Sequence, residues 1–186
     1  MSPETFQALV AALWPSADSI RSPQVFTVVD CARDPRAMPM IVAAGVEHSC
    51  LYSGPLDPAL EVAAPWMARL SPDARLTREL MDTGWLDHWF ILARARADVT
   101  LQQMRRHLRT LMRVRDESGR VLLFRFYDPR VLREYLPTCT TDEAQDVFGP
   151  IDEFLCSGDS PGSLVSFTRA GARILVRTHG LVDEAT

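Results

Sequence analysis

The chain contains no lysine, and all twenty of its basic residues are arginine. A GC-rich genome would leave such a bias. Its physical result is that every basic side chain is a planar fork suited to carboxylate or phosphate and less heavily hydrated than an ammonium. Paired cysteines are also missing: Cys31, Cys50, Cys139 and Cys156 show neither CxxC spacing nor a neighbouring histidine pair. That excludes a legible zinc or dithiol motif and predicts free thiols in a reducing compartment. His48, His88, His107 and His179 form no HxxxH or HExxH, so no metal site is expected. Neither GxGxxG nor GxxxxGK[ST] occurs, and no cofactor is expected. The most apolar stretch, Ala37 to Val46, is about half the length that spans a bilayer. No arginine precedes an apolar run in residues 1–20, as a secretory signal would require. The expectation is a cytoplasmic protein without a membrane partner.

What is present describes an ordinary folded domain. The 186 residues are 47% hydrophobic and 24% charged, with a mean hydropathy of −0.04. A chain of this length buries roughly 70% of its unfolded surface without disulfides or metals. Charge is unevenly placed. Arg94 to Arg133 holds eleven arginines against four acids, and Glu134 to Asp159 holds seven acids and no base. Such blocks either satisfy each other internally or present a two-signed docking surface. Nucleic-acid binding is disfavoured by the net charge of −4 and by the absence of aromatics interleaved with the arginines of 100–113.

Periodicity predicts an amphipathic helix on Phe6, Leu9, Val10 and Leu13, ended at Trp14-Pro15. A strand follows over Gln24–Asp30, then Asp34-Pro35-Arg36 as a capped helix start, and a short strand over Ser49–Tyr52. Residues 58–70 fit neither period. A helix over Ala74–Thr83 should end at Gly84 and an aromatic strand run over Trp85–Ala93. Thr100 and Gln103 have capping-box spacing ahead of a helix with Leu101, Met104, Leu108, Leu111 and Met112 as its apolar stripe. The Ser118-Gly119 turn predicts a hairpin of Leu111–Arg115 with Val121–Tyr127. Asp128-Pro129 starts a helix that Pro137 stops, and Thr141–Phe148 forms another. Strands close the pattern at Ile151–Leu155, Leu164–Thr168 and Arg173–Arg177. This is a single α/β or α+β mixed-sheet domain with flanking helices. Residues 1–150 form its main lobe, and 151–186 complete the sheet or add a short C-terminal extension or lobe.

Gly158-Asp159-Ser160-Pro161-Gly162 has the GxSxG pattern, but Pro161 lacks the backbone N–H that an oxyanion hole takes from the residue after the nucleophile. It reads as a turn. The unusual segment is Phe124 to Pro137, where Arg125, Tyr127, Asp128 and Arg130 interrupt an apolar strand leading into a helix. Both faces of Val121–Tyr127 are largely apolar, which predicts a central strand. Burying a guanidinium is costly unless it is paired. Arg125 therefore either has an internal Asp or Glu partner or lines a binding edge. Asp-Pro-Arg also occurs at residues 34–36, each time where a strand is read to pass into a helix. If the strands are parallel, both tripeptides share one sheet edge.

Phe-Arg-Phe-Tyr-Asp-Pro-Arg-Val-Leu at 124–132 and Leu136-Pro137 follow Arg106-His107-Leu108-Arg109. Together with Val29-Asp30-Cys31-Ala32-Arg33-Asp34-Pro35, Leu51-Tyr52-Ser53-Gly54 and Ala64-Pro65-Trp66, they resemble the bacterial domain-of-unknown-function family 4123 over about residues 24–150. The resemblance implies a type VI secretion adaptor or effector chaperone without catalysis of its own. Such a protein binds a toxic effector and helps load it onto the VgrG spike. Relatives often carry a longer C-terminal region, and often a serine where this chain has Ala93-Arg94-Ala95. The implied partner-binding residues are Arg125, Tyr127, Asp128 and Arg130, then Arg33, Asp34, Arg105 and Arg109. The alternatives are a small phosphoester or ester hydrolase using the Asp-Pro-Arg edge, and an arginine-rich nucleic-acid-binding module.

Overall fold

The computed structural model describes residues 1–15, 22–115 and 118–181. Its centre is a seven-stranded sheet of β1 (Gln24–Asp30), β2 (His48–Cys50), β3 (Pro65–Leu70), β4 (Phe90–Ala95), β7 (Ile151–Ser157), β8 (Ser163–Ala170) and β9 (Arg173–Gly180). The order is β2-β3-β1-β4-β7-β8-β9. Every neighbouring pair runs antiparallel, which makes the architecture α+β. The C-terminal strands continue the sheet outward from β4.

The pleat divides the interior into two cores. On β1, Phe26 and Val28 point to one side, and Val25 and Val29 to the other. The first side is covered by α5 (Leu101–Leu111), α6 (Pro129–Tyr135) and α7 (Thr141–Phe148), through Met104, Leu108, Leu132, Val147 and Phe148. The second is covered by α1 (Pro3–Leu13), α2 (Ala37–Ala43) and α4 (Arg75–Gly84), through Leu9, Leu13, Ile41, Leu76 and Leu80. Thr27 sits among these apolar residues because its hydroxyl donates to the Ile91 carbonyl at 3.1 Å. Among the described residues, no helix is long and apolar enough to cross a membrane.

The ambiguous 58–70 segment resolves into α3 (Pro58–Ala63), capped by Asp57, and β3. Pro65, which blurred the pattern, is the first residue of its strand, a place where a missing N–H is tolerated. Thr100 and Gln103 form the expected capping box, and Thr140 with Glu143 forms another on α7.

Two expectations are corrected. The strand read over Trp85–Ala93 begins only at Phe90, because the chain turns after α4 and His88 adopts φ +55°. Trp85 and Trp89 instead pack into the second core, and Trp89 lies so close to Gly84 that a Cβ there would meet its ring at 2.9 Å. The segment read as a central strand over Val121–Tyr127 is not in the sheet. It supplies only β6 (Val121–Leu123), paired with β5 (Arg113–Arg115) in a separate hairpin. Both neighbours of β4 are already taken by β1 and β7, so Val121, Leu122 and Leu123 stay exposed on the hairpin, while Phe126 and Tyr127 beyond it turn into the first core.

The α5 helix is fixed in rotation by His107, whose ring Nε2 donates to the Val147 carbonyl at 2.8 Å. Gly149, at φ +47° and ψ −114°, lets the chain pass beneath that ring, since a Cβ would stand 2.4 Å from it. Gly149→Ala should cost roughly 2–3 kcal/mol or more, combining a backbone rarely open to L-residues with a steric clash. In a His107→Ala background the same change should cost less, only the backbone share remaining. Equal shifts of the urea midpoint in the two backgrounds would refute the clash.

Candidate functional site

The site is built on Asp30, the last residue of β1. Its carboxylate is 2% exposed, and its hydrogen-bond partner is the Arg125 guanidinium, which is itself 47% exposed. This settles the two readings of Arg125 in a specific way: it has an internal acidic partner, and much of its surface still faces water. Burial weakens the guanidinium's hold on its proton, but the hydrogen bond to Asp30 outweighs that and keeps it firmly charged. Phe126 and Tyr127 next to it are buried in the first core, with Phe124 edge-on to Tyr135 at 4.6 Å. Burial, reinforced by Tyr52 and Asp30, pushes the Tyr127 phenol well up, so it remains protonated.

The two Asp-Pro-Arg tripeptides adopt the same local structure. In the first, Asp34 Oδ1 accepts the Arg36 backbone N–H at 2.8 Å, and its two oxygens take Arg36 Nε at 2.9 Å and a terminal nitrogen at 2.7 Å. In the second, Asp128 accepts the Arg130 backbone N–H at 3.0 Å, Nε at 3.0 Å and a terminal nitrogen at 2.6 Å. Proline fixes the middle residue, so the arginine two positions on lies over the carboxylate and binds it bidentately. The hydrogen bonds from Arg36 hold the Asp34 carboxyl below its usual value. For Asp128 burial pushes the value up, but the Arg130 bonds outweigh it and the carboxyl also stays low. The tripeptides differ downstream. Asp128 is the N-cap of α6 with Pro129 at its first turn, as expected. Asp34 is not a cap, because α2 starts only after Arg36.

A parallel sheet was the condition for both tripeptides to share an edge, and the sheet is antiparallel. The Asp30–Arg125 pair nevertheless draws the second tripeptide towards the end of β1, from which the first follows in the chain. Arg33 lies near enough to Asp128, and Asp30 to Arg130, for each to act on the other's charge. Arg33 also donates to the Asp87 carbonyl at 2.8 Å, and Arg36 stands 5.8 Å over the Trp89 ring. Arg33, Arg125, Asp128 and Arg130 thus form one polar edge at the end of β1, with Asp34 next to Arg33 in the chain, whereas Tyr127, at 2% exposure, is buried in the core beneath it. Arg105 and Arg109 lie apart from it, on α5. Arg105 donates to the carbonyls of Cys50 at 2.8 Å and Tyr52 at 3.1 Å, while Arg109 is exposed. Tyr52 lies between the two regions, meeting Tyr127 on one side and Arg105 on the other.

Three residues of this edge were not read from sequence. Asp30 was visible only as a strand end, although an acid closing an otherwise apolar strand is itself a signal. Arg36 was implied by the repeat of the tripeptide. His88 could not be anticipated, since the turn that places it was read as strand. Its Nδ1 lies 2.8 Å from Ser157 Oγ, beside Arg133, which bonds the Ser157 carbonyl at 2.7 Å and Asp159 at 2.8 Å. Arg133–Asp159 and Arg94–Glu153 are pairs between the basic and acidic blocks. Arg106, Arg109 and Arg113 form no such pair among the described residues.

Residues 25–146 match the model of a family described as Domain of unknown function (DUF4123). The matched window spans both tripeptides, α5 and the hairpin. No curated protein and no solved structure matches the chain.

Arg125→Ala should destabilise the protein by about 2–3 kcal/mol, below the full cost of orphaning a buried charge because Arg125 is half open to water. Asp30→Asn added to it should recover part of the loss. An unchanged urea midpoint in Arg125→Ala would remove the anchoring role. His88 is held below its ordinary 6.5, first by burial and then by Arg133 and Arg130. Folding therefore favours its neutral ring. That contribution is whole above about pH 6.5 and fades as the pH falls below it. The midpoint should drop between about pH 7.5 and 5.5, and His88→Asn, which tolerates the left-handed backbone, should flatten the drop. Parallel pH profiles for the two proteins would show that His88 does not contribute.

Proposed function

We propose, from the premise that this chain belongs to the DUF4123 family, that it is a type VI secretion adaptor. In this reading it holds a toxic effector in the cytoplasm and helps load it onto the VgrG spike, with no chemistry of its own. The observation that carries the reading is the pair of self-closed Asp-Pro-Arg turns on either side of the Asp30–Arg125 contact. Each carboxylate there is already neutralised by a bidentate arginine, and the outer sides of Arg36, Arg125 and Arg130 face solvent at 71%, 47% and 51% exposure. Such an edge offers the remaining N–H donors to carbonyls and carboxylates of another protein in a fixed geometry. It is poorly charged for capturing a free phosphate, because each guanidinium shares its charge with the carboxylate beside it. That the partners are an effector and a spike is what the resemblance of the motifs to the family implies.

One observation favours an enzyme instead, the contact of His88 with Ser157 beside Arg133. Against it, Ser157 is 3% exposed, so a substrate would have to displace the wall that covers it.

Affinity purification of the tagged protein from its own bacterium should recover a spike protein and a large effector. Recovery of neither would sink the adaptor reading. Arg130→Ala should fold normally, since Asp128 keeps its backbone cap bond, and should weaken capture roughly tenfold, about 1.4 kcal/mol. Full capture by that variant would remove Arg130 from the contact. Turnover of ester or phosphoester substrates that is lost in Ser157→Ala would favour the enzyme.

A further inference from the structure

A groove of about 820 Å³ opens beside α5, away from the Asp-Pro-Arg edge. Arg106, Arg109 and Arg113, spaced three and four residues apart, line one wall together with Arg105. Leu56 and Leu60 stand on the α3 side, and Leu123 of the hairpin closes the groove. Among the described residues, no aspartate or glutamate lines it. Arg105 spends its hydrogen bonds on two backbone carbonyls, which neutralise no charge. Asp57, beside Leu56, is committed to capping α3.

Nine arginines, Arg94 and Arg133 among them, pair with acids among the described residues. Three arginines with no acidic partner among the described residues, on one wall, repel one another and attract an anion. The hairpin next to them is equally unfinished. Its pairing puts Arg113 and Arg115 on one face with Leu123 and Val121, and Val114 with Leu122 on the other. Val121, Leu122 and Leu123 are 53%, 46% and 54% exposed. A two-stranded hairpin is marginal alone, and a cluster of aliphatics at its surface marks a contact site.

We propose that this groove docks an acidic amphipathic segment of a partner protein. Its carboxylates lie on Arg106, Arg109 and Arg113, and its apolar side lies on Leu56, Leu60 and Leu123. The inference rests on the adaptor reading, whose partner it specifies chemically. Charge complementarity selects an acidic occupant, and the aliphatic wall selects a polypeptide over a nucleic acid, for whose bases Tyr52 is the one aromatic among the described lining residues.

The probe is a labelled synthetic helical peptide with glutamates on one face and leucines at i, i+3 and i+4 on the other, followed by fluorescence anisotropy. The intact chain should bind it, and Arg106→Glu/Arg109→Glu/Arg113→Glu should lose at least roughly tenfold in affinity. Leu123→Ser should weaken it too, and a charge reversal on β9, Arg173→Glu/Arg177→Glu, should not. Circular dichroism checks that each variant is folded. Equal binding of a peptide with its leucines scattered around the helix would overturn the proposal, as would an equal loss in the β9 variant. So would an acidic oligonucleotide that binds as tightly, or a dimer of the free chain that Leu123→Ser disperses. The two readings fail separately. A silent peptide with spike and effector still recovered removes the groove alone, and a bound peptide with neither recovered removes the adaptor alone.

Discussion

Asp30 ends β1, an interior strand of the sheet, with a carboxylate withdrawn from water, and the guanidinium that reaches it comes from residue 125, after the chain has left the sheet, formed α5 and turned through the hairpin. A buried carboxylate without a counter-charge would cost several kcal/mol, so this contact fixes where the excursion must return. Phe126 and Tyr127 enter the core immediately beyond it, and Asp128 starts α6 directly after them. The position of α6, and through Arg133 its link to the end of β7, therefore follows from a single pairing at the end of β1. Arg125 is both anchor and surface, because its other side remains in water.

The repeated tripeptide shows how a short sequence can carry its own geometry. Proline fixes the backbone, aspartate takes the N–H two residues on, and the arginine closes over the same carboxylate. Nothing distant is required, which explains why the same structure forms once before a helix and once in a turn. The motif is nearly neutral at its base and cationic at its outer edge. That separation suits recognition by shape and donor direction more than by net charge.

Much of this was legible in sequence where local rules suffice. β1 was readable because its β-branched and aromatic residues end at an acid, α5 because Thr100 and Gln103 box its start, and α6 because Asp128-Pro129 can do little else. The failures are those of tertiary context. Val121–Tyr127 has the pattern of a strand buried on both sides, yet the sheet had no vacancy beside β4, and only three of its residues pair at all. Trp85–Trp89 is aromatic enough for a strand, but the sequence does not reveal that its bulk fills the space left by Gly84. The partner of Arg125 lies ninety-five residues away, a separation no periodicity spans. For Arg106, Arg109 and Arg113 the sequence leaves both outcomes open, pairing with the acidic block or a docking surface. Which arginines the acids would reach depended on the order of the strands.

The choice of arginine throughout has a consequence for how an acidic guest leaves the α5 groove. A guanidinium does not give up its proton below about pH 12, so the host wall carries the same charge under every condition a cell meets. No acidification, and no acylation of the kind that silences a lysine, can discharge it. Control over unloading must come from the guest, through protonation of its carboxylates or a change in its fold, or from a competitor with more carboxylates in reach. In the proposed docking the wall stays constant, and what can change is the charge or the fold of the guest.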